Sequence, residues 1–288
     1  MEEITAALYV KAFLYYGSWL AFPLLVWFLR RRWYILTVLA VLFIYARFVE
    51  PKVLLVNHYK IETGFKAKYA LIADTHLGIY NDASILKRTV EKINKENVDA
   101  LFIAGDFTYE PQFDDMKELF SALSEVKVPM YAVLGNHDCE RPGPPIRSEL
   151  EKVLLSLGVK VITNEIIQLG DVKIVGLGSR WAKEDDVSLL SRFEKKENVV
   201  VLTHNPDTAL SYKKNHYPDL TLAGHTHGGQ IRIPFLYKKV IPVEGEVLWD
   251  QGLYDYKNGK VFVTSGIGEV GLPLRFLIPP AIDILELY

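Results

Sequence analysis

Apolar residues are concentrated at the amino-terminal end of the chain, in two long runs separated by a basic segment. Residues 4–29 carry one charge, Lys11, and a helix of that length spans roughly 39 Å, more than the ~30 Å hydrocarbon core of a bilayer. Arg30, Arg31 and Arg32 follow. A second apolar run over 33–49, of about 17 residues, is just long enough to cross the hydrocarbon core of a bilayer. The pattern predicts a transmembrane helical hairpin over residues 1–50.

A cleaved signal peptide is the alternative interpretation of the same segment. It is less favoured because no positively charged region precedes the first run and no small-residue cleavage site follows the second. A transporter or channel subunit has little support, because the two runs contain no carboxylate or histidine and Lys11 lies near one end.

The side of the membrane is predicted from the basic residues around the hairpin. The three arginines of the short loop favour a cytoplasmic loop, with both termini and the rest of the chain on the outer side. Basic residues that follow the second run, among them Arg47, Lys52 and Lys60, favour the opposite orientation. Their weight is reduced because long domains are translocated largely regardless of charge. We therefore expect a membrane protein whose main domain lies outside.

Beyond a predicted linker over 51–68, with some strand character, apolar strands alternate with amphipathic helices. Continuous apolar strands that alternate with helices are typical of an α/β fold with buried sheets, and the strand-rich second half predicts a second sheet packed on the first. The predicted strands are 69–73, 98–105, 129–135, 171–178, 199–203, 220–224, 230–234, 260–265 and 281–287, and the predicted helices are 83–97, 113–126 and 145–158.

Composition excludes several classes of function. The net charge of −2 gives no reason to expect nucleic-acid binding, and a single cysteine, Cys139, excludes a disulfide-stabilised scaffold. We expect Cys139 to pack in the core rather than bind a metal. No obligate protein partner is indicated.

Polar side chains of the metal-binding types follow five of the predicted strands. They are Asp74 and His76, then Asp106, then Asn136, His137 and Asp138, then His204, and finally His225 and His227. Each residue alone is most simply a turn or helix-capping residue. However, five strand-end loops share these residue types, and such loops carry the chemistry in α/β folds.

Oxygen and imidazole donors without a thiolate favour Mn, Fe, Zn, Ni or Co over a structural zinc site. The candidate ligands are Asp74, His76, Asp106, Asn136, His204, His225 and His227. This is too many for one ion and suits two divalent ions that share a carboxylate. Such pairs stabilise an in-line displacement at phosphorus.

The motifs DTH (74–76), GD (105–106), GNHD (135–138), TH (203–204) and GHTH (224–227) resemble those of the calcineurin-like metallophosphoesterase superfamily in type and order. The stretches around 204–207, 224–235 and 271–280 resemble its YkuE-type branch of membrane-associated bacterial phosphoesterases. The resemblance covers residues 69–288 and not the hairpin. It implies a fold of two mixed β-sheets packed as a sandwich and flanked by helices, in a protein of the bacterial cell membrane.

The resemblance also implies roles for individual residues. Asp74, His76 and His227 would hold one metal ion, Asn136, His204 and His225 the other, and Asp106 would bridge them. His137 would contact the phosphate and protonate the leaving oxygen, with Asp138 orienting its imidazole, while a metal-bridging hydroxide attacks in line. Asn136, His137 and Gly228 are the expected substrate-binding residues, since glycines 228 and 229 would leave the approach to phosphate clear.

We therefore expect a membrane-anchored two-metal hydrolase of a phosphomonoester, a phosphodiester or a pyrophosphate, plausibly a lipid-linked or envelope substrate. One alternative is a UDP-2,3-diacylglucosamine pyrophosphatase of lipid A synthesis, which needs a cytoplasmic active site. Another is a non-catalytic, metal-binding scaffold for a partner protein.

Overall fold

A computed structural model describes residues 2–111, 116–139, 146–257 and 259–288 of the chain. The α-helices are α1 (Glu2–Gly17), α2 (Ala21–Arg30), α3 (Tyr34–Ile44), α4 (Ala83–Ile93), α5 (Met116–Leu119) and α6 (Arg147–Ser156). Shorter helical segments are Ser18–Leu20, Tyr45–Val49, Glu50–Lys52, Ser121–Glu125, Val187–Arg192, Pro206–Ser211, His227–Gly229 and Tyr237–Lys239.

The first sheet has six strands in the order β1-β14-β2-β4-β6-β7. These are β1 (Leu55–Ile61), β2 (Ala67–Ile72), β4 (Ala100–Ala104), β6 (Met130–Val133), β7 (Val159–Val161) and β14 (Ala281–Leu287). Strands β2, β4, β6 and β7 run parallel, whereas β14 is antiparallel to β2 and parallel to β1. The carboxyl ends of these four parallel strands therefore lie at the same end of the sheet.

The second sheet also has six strands, in the order β12-β13-β11-β10-β9-β8. These are β8 (Ile166–Leu169), β9 (Val172–Gly176), β10 (Val199–Leu202), β11 (Leu220–Ala223), β12 (Gly252–Tyr256) and β13 (Gly259–Val263). The inner four are parallel and the outer two are antiparallel to their neighbours. Two short strands, β3 (Leu77–Gly78) and β5 (Thr108–Tyr109), pair separately.

The two sheets pack face to face, as predicted. Alternate residues of β4 show the arrangement: Phe102 belongs to the apolar cluster between the sheets, whereas Leu101 and Ile103 face the cluster under the helices. Because both faces of β4 are covered, this strand is apolar throughout instead of alternating. The predicted sandwich of two mixed sheets flanked by helices is confirmed.

The amino-terminal helices fit the predicted hairpin. Segments Ala7–Arg30 and Tyr34–Lys52 are long and apolar enough to cross a membrane. The first is not one regular helix, because a tighter turn separates α1 from α2 just before Pro23, which has no N–H to continue the hydrogen-bond ladder. Aromatic rings join the two arms, with Trp27 and Trp33 centroids 4.9 Å apart.

Three local predictions differ from the structure. The predicted linker, in which we expect some strand character, contains β1, an edge strand with one buried residue, so its apolar pattern is weak. The predicted strand 230–234 is absent, and only Ile231 makes an isolated bridge, to Phe276. The predicted helix 113–126 breaks between α5 and Ser121–Glu125, where serine hydroxyls bond to main-chain carbonyls and compete with the helix. Residues 113–115 of that helix, and residue 145 of the helix predicted over 145–158, lie outside the described residues.

Replacing Phe102 should test the importance of the inter-sheet core. Its ring is fully buried and meets Tyr69 edge to face, with centroids 4.9 Å apart. We expect Phe102→Ala to lower the free energy of unfolding by about 3–5 kcal/mol. Leu155→Ala is the matched control. Because Leu155 on α6 is 71% exposed, this substitution should change the free energy of unfolding by less than about 0.5 kcal/mol. Urea denaturation of the detergent-solubilised protein, followed by circular dichroism, measures both, and equal losses would contradict the expectation.

Candidate metal centre

The carboxyl ends of five strands bring all seven predicted ligands into one buried site. Asp74 follows β2, Asp106 follows β4 and Asn136 follows β6 in the first sheet, while His204 follows β10 and His225 follows β11 in the second. The site therefore lies where the parallel strands of both sheets end, as the chemistry of α/β folds predicts.

One group of donors consists of Asp74, His76 and His227. Asp74 Oδ1 lies 3.5 Å from His227 Nε2 and 4.0 Å from His76 Nε2, and the two imidazole nitrogens are 3.1 Å apart. All three side chains are buried, and their donor atoms lie within 4.8 Å of one another, a geometry that can hold one metal ion.

A second group surrounds His204. Its Nε2 atom is 3.1 Å from Asn136 Oδ1, 3.1 Å from His225 Nδ1 and 3.2 Å from Asp106 Oδ2. The donor atoms of Asp106, His204 and His225 also lie within 4.8 Å of one another.

Asp106 lies between the two groups. Its Oδ2 atom is 3.6 Å from His76 Nε2 in the first group and 3.2 Å from His204 Nε2 in the second. Its other oxygen, Oδ1, accepts a hydrogen bond of 3.0 Å from the backbone N–H of His137. A carboxylate in this position is suited to bridge two metal ions.

Unusual backbone conformations aim these side chains. Five of the ligands have a left-handed backbone, with φ of 53° at Asp74, 41° at His76, 54° at Asp106, 72° at His225 and 51° at His227. Residues other than glycine avoid this region, at a cost of about 1–3 kcal/mol each, and such strain clusters at functional sites. The fold therefore stabilises an arrangement that the local sequence disfavours.

Two motif glycines allow the loops to approach each other. A Cβ on Gly135, which begins GNHD, would lie 2.0 Å from Asp106 Oδ1. A Cβ on Gly224, which begins GHTH, would lie 2.5 Å from the Cβ of Ala73 and 2.7 Å from Asp74 Oδ2. Each glycine is thus required because a carboxylate oxygen occupies the space of a side chain.

Burial keeps three of the histidines neutral, which is the form that binds a metal. It lowers the pKa of His76 to about 3 and holds the pKa values of His225 and His227 well below the usual range. Burial also raises the pKa of Asp74 to about 7, with the Asp106 carboxylate adding to the effect.

His204 and Asp106 form a buried charged pair. Burial opposes the charge on His204, but the Asp106 carboxylate outweighs it and raises the pKa of His204 to about 9. Burial would likewise raise the pKa of Asp106, yet the His204 imidazole holds it well below its usual range. A proton on His204 thus supplies the positive charge that a bound cation would supply in its place.

Backbone carbonyls orient two of the imidazoles. Nδ1 of His204 donates to the Ala104 carbonyl at 2.7 Å, and Nδ1 of His76 faces the Thr108 carbonyl at 3.3 Å. When Nδ1 donates its hydrogen to a carbonyl, the other ring nitrogen, Nε2, keeps a free lone pair and can bind a metal ion. In both residues Nε2 is the atom that points into the site.

The donor set fits two divalent ions. Imidazole nitrogens and carboxylate oxygens converge without a cysteine ligand, and histidine nitrogens face each other 3.1 Å apart, a separation that a shared cation explains. Asp74, His76 and His227 would hold one ion, Asn136, His204 and His225 the other, and Asp106 would contact both.

The predicted catalytic residues occupy different positions. His137 is half-buried, lines the cavity above the ligands, and packs edge-on against His76 with ring centroids 5.1 Å apart. The Asp138 carboxylate accepts backbone N–H bonds from Phe107, Thr108 and Gly135 at 2.9–3.3 Å. These contacts favour a role in joining the two loops over the predicted role of orienting the His137 imidazole.

Of the two glycines after His227, one differs from expectation. Gly229 lines the cavity, whereas Gly228 is buried, and a Cβ on it would meet Ile278 at 2.9 Å. Both have positive φ, 59° and 82°. Gly228 is therefore placed to pack the loop rather than to clear a path to phosphate.

Sequence reasoning missed two aromatic residues next to the ligands. Trp181 meets His225 edge to face, with centroids 4.5 Å apart, and Tyr109 contacts both His76 and His137, at 5.7 and 5.4 Å. Trp181 lies in an irregular loop with no motif, so no signal in the sequence singled it out. Tyr109 ends β5, which is too short to produce a recognisable pattern.

Comparisons with known proteins agree with this geometry. The calcineurin-like phosphoesterase family matches residues 67–229. The uncharacterized metallophosphoesterase YkuE of Bacillus subtilis is 30% identical over 259 residues, which cover 84% of this chain and 88% of that protein. An uncharacterized metallophosphoesterase of Helicobacter pylori is 30% identical over 253 residues, and the match covers 84% of this chain but only 65% of that relative's length.

A further relative has a named substrate. The UDP-2,3-diacylglucosamine pyrophosphatase LpxG of Chlamydia muridarum is 26% identical over 305 residues, covering 84% of this chain and 92% of that protein. The family match extends over more than half of the chain and contains all seven candidate ligands. The chain belongs to the calcineurin-like phosphoesterase family.

Proposed function

We propose that the protein is a membrane-anchored two-metal phosphoesterase that hydrolyses a phosphomonoester, a phosphodiester or a pyrophosphate. The position of Asp106 Oδ2, within 3.6 Å of one ligand group and 3.2 Å of the other, is the observation that carries the proposal. It gives two adjacent cation sites at the floor of an open cavity, the arrangement that a two-metal hydrolase needs.

Two divalent ions held there would polarise the phosphoryl oxygens and supply an activated water for in-line attack. The chain's own residues complete the chemistry. His137 lines the same cavity, which supports the proposal that it protonates the leaving oxygen. Its backbone N–H bond to Asp106 couples its position to the bridging carboxylate. Manganese is one candidate ion among Mn, Fe, Zn, Ni and Co, because the donors are oxygen and imidazole.

The hairpin is proposed to anchor the domain to a bacterial cell membrane. The length and apolar character of its two helices support this, and the arginine loop favours an outer catalytic domain. A lipid-linked or envelope phosphoester is the proposed substrate, in line with the diacylated substrate in the name of the Chlamydia relative.

Two alternatives make different predictions. A UDP-2,3-diacylglucosamine pyrophosphatase is favoured by the name of that relative but requires a cytoplasmic site. A non-catalytic scaffold is less favoured, because the seven ligands converge and His137 faces the open cavity beside them.

Two substitutions should separate metal binding from turnover. His137→Ala should keep about two Mn²⁺ per chain and lower kcat for bis-p-nitrophenyl phosphate by about 10²–10⁴-fold, since a proton donor is lost. Asp106→Asn should lose metal, because the shared carboxylate charge is gone. Metal analysis by mass spectrometry and steady-state kinetics, both on the full chain in detergent, test these two expectations.

The matched control is His58→Ala, which removes an exposed histidine on β1 and should leave metal content and kcat as in the unsubstituted protein. Full activity in both site variants would refute the mechanism, whereas an inactive parent with two bound metals would support the scaffold.

The orientation can be tested by cysteine labelling once Cys139, the one cysteine of the chain, is replaced by serine. On a Cys139→Ser background, we expect Tyr288→Cys to react with an impermeant maleimide in intact cells, because the domain lies outside. Arg31→Cys, in the hairpin loop, should react only after permeabilisation. Mass shifts on gels report the labelling. The reverse pattern would place the active site in the cytoplasm and favour the pyrophosphatase alternative.

A further inference from the structure

The cavity above the metal ligands has a polar floor and an apolar wall. Its volume is about 540 Å³, and His137, His225 and His227 line the floor. Ile231, Val240 and Leu272 form part of the wall. This volume suits an organic group larger than phosphate, and the apolar wall suits a hydrocarbon part of the ligand.

One side of the cavity mouth carries a loop of exposed apolar residues, 233–240, which we term the mouth loop. Ile233, Leu236 and Val240 are exposed, and Phe235 at its tip is 91% exposed. Phe235 also has a φ of 67°, which a bulky side chain avoids. The fold thus holds a large aromatic ring outward in a strained conformation, although an inward position would bury it.

On another side, helix α1 lies against Tyr80 and Tyr109, which contact residues of the cavity lining. One face of α1 contacts the domain: Lys11 pairs with Glu110 and lies 4.5 Å from the Tyr109 ring centroid, and Tyr15 stacks on Tyr80 at 6.0 Å. The opposite face presents Tyr9, Phe13 and Tyr16, with Phe13 72% exposed. These positions recur at helical spacing, so they form one apolar stripe.

Hydrogen bonds connect the two sides across the mouth. Tyr80, which stacks on α1, donates its hydroxyl to the Gly271 carbonyl at 2.9 Å. The Gln230 side chain, three residues before the mouth loop, donates to the Val270 and Leu272 carbonyls at 2.9 Å. The segment around Leu272 therefore lies between the domain-facing side of α1 and the mouth loop.

The same segment holds the end of the hairpin. The backbone N–H of Arg275 donates to the Ala46 carbonyl at 2.9 Å, and the Glu50 carboxylate accepts from the N–H groups of Leu277 and Ile278. Leu277 is exposed beside this junction. The end of the hairpin is thus fixed to the chain segment that follows Leu272, which lines the cavity.

Exposure of the apolar side chains of the mouth loop to water is unfavourable, whereas their contact with a bilayer surface is favourable. Exposed apolar patches of this extent mark interaction sites. Lys238 and Lys239 are exposed within the mouth loop and suit anionic lipid headgroups, while aromatic rings suit the interfacial layer. A lipid surface satisfies both features.

We infer that the mouth loop inserts into the bilayer surface on the side where the domain lies. The cavity then opens toward the lipid, and its substrate is a phosphoester at headgroup level whose hydrocarbon chain lies along the wall of Val240 and Leu272. This inference rests on the proposed membrane anchoring and deepens the proposed substrate class.

Site-directed spin labelling of the full chain in lipid nanodiscs containing anionic phospholipid tests the inference. On the Cys139→Ser background, single labels are placed at Phe235→Cys, at Leu24→Cys in the hairpin and at Leu155→Cys on α6. Leu155 is the matched control, because α6 packs beside β7, at the opposite edge of the first sheet from β1 and the hairpin. Collision with oxygen, which concentrates in hydrocarbon, is compared with collision with a water-soluble nickel complex.

We expect the label at 235 to favour oxygen over the nickel complex at least several-fold more than the label at 155. Leu236→Cys is the second site in case the first variant does not fold, with the same expectation. A label at 235 or 236 that is as accessible to nickel as that at 155, while the label at 24 lies in hydrocarbon, would overturn the inference and leave the membrane anchor intact. Water exposure at all sites would refute the anchor itself, and spin–spin broadening at 235 would show pairing with a second copy and also overturn the inference.

Discussion

The constraint on which the structure depends is the negative charge buried at the meeting point of two sheets. Asp74 and Asp106 are almost inaccessible to solvent, and a carboxylate in such a place is tolerated only with positive partners and donors around it. Backbone N–H groups of His225 and His137 supply donors, and the histidines supply either protons or ligands for cations. The glycines at the loop starts, the left-handed ligand residues and the carbonyls behind His76 and His204 all serve this one requirement.

The sequence allowed prediction of the two metal-binding residue groups and of most strands of the two sheets, because both follow from apolar strands with polar residues at their ends. Asp106 and His204 were recognisable since an apolar strand precedes each of them. The strand β1 was not, because an exposed edge strand has no continuous apolar pattern. The contacts of Asp138 were also beyond prediction, since its backbone partners at Phe107 and Thr108 are about thirty positions away and no spacing rule connects them. Gly228 shows the same limit: a glycine indicates that space is needed but not which neighbour occupies it.

The hairpin is part of the site's surroundings and not only an appendage. Lys11 on α1 contacts Tyr109, and the same ring contacts His137, so one side chain separates the amino-terminal helix from the predicted proton donor. Glu50, at the end of the second arm, bonds to the backbone next to Ile278, which packs against Gly228. Displacement of the hairpin would therefore alter the packing on two sides of the ligand cluster.

The pairing of β1 has a consequence for how the protein is made. β1 follows directly from the hairpin, yet its one neighbour in the sheet is β14, and the paired residues Asn57 and Asp283 are 226 positions apart. During synthesis β1 has no partner until β14 emerges and inserts between β1 and β2. Sheet closure is thus a late, non-local step, the kind that folds slowly. A chain that ends before β14 would keep an open sheet edge, which can pair with another chain.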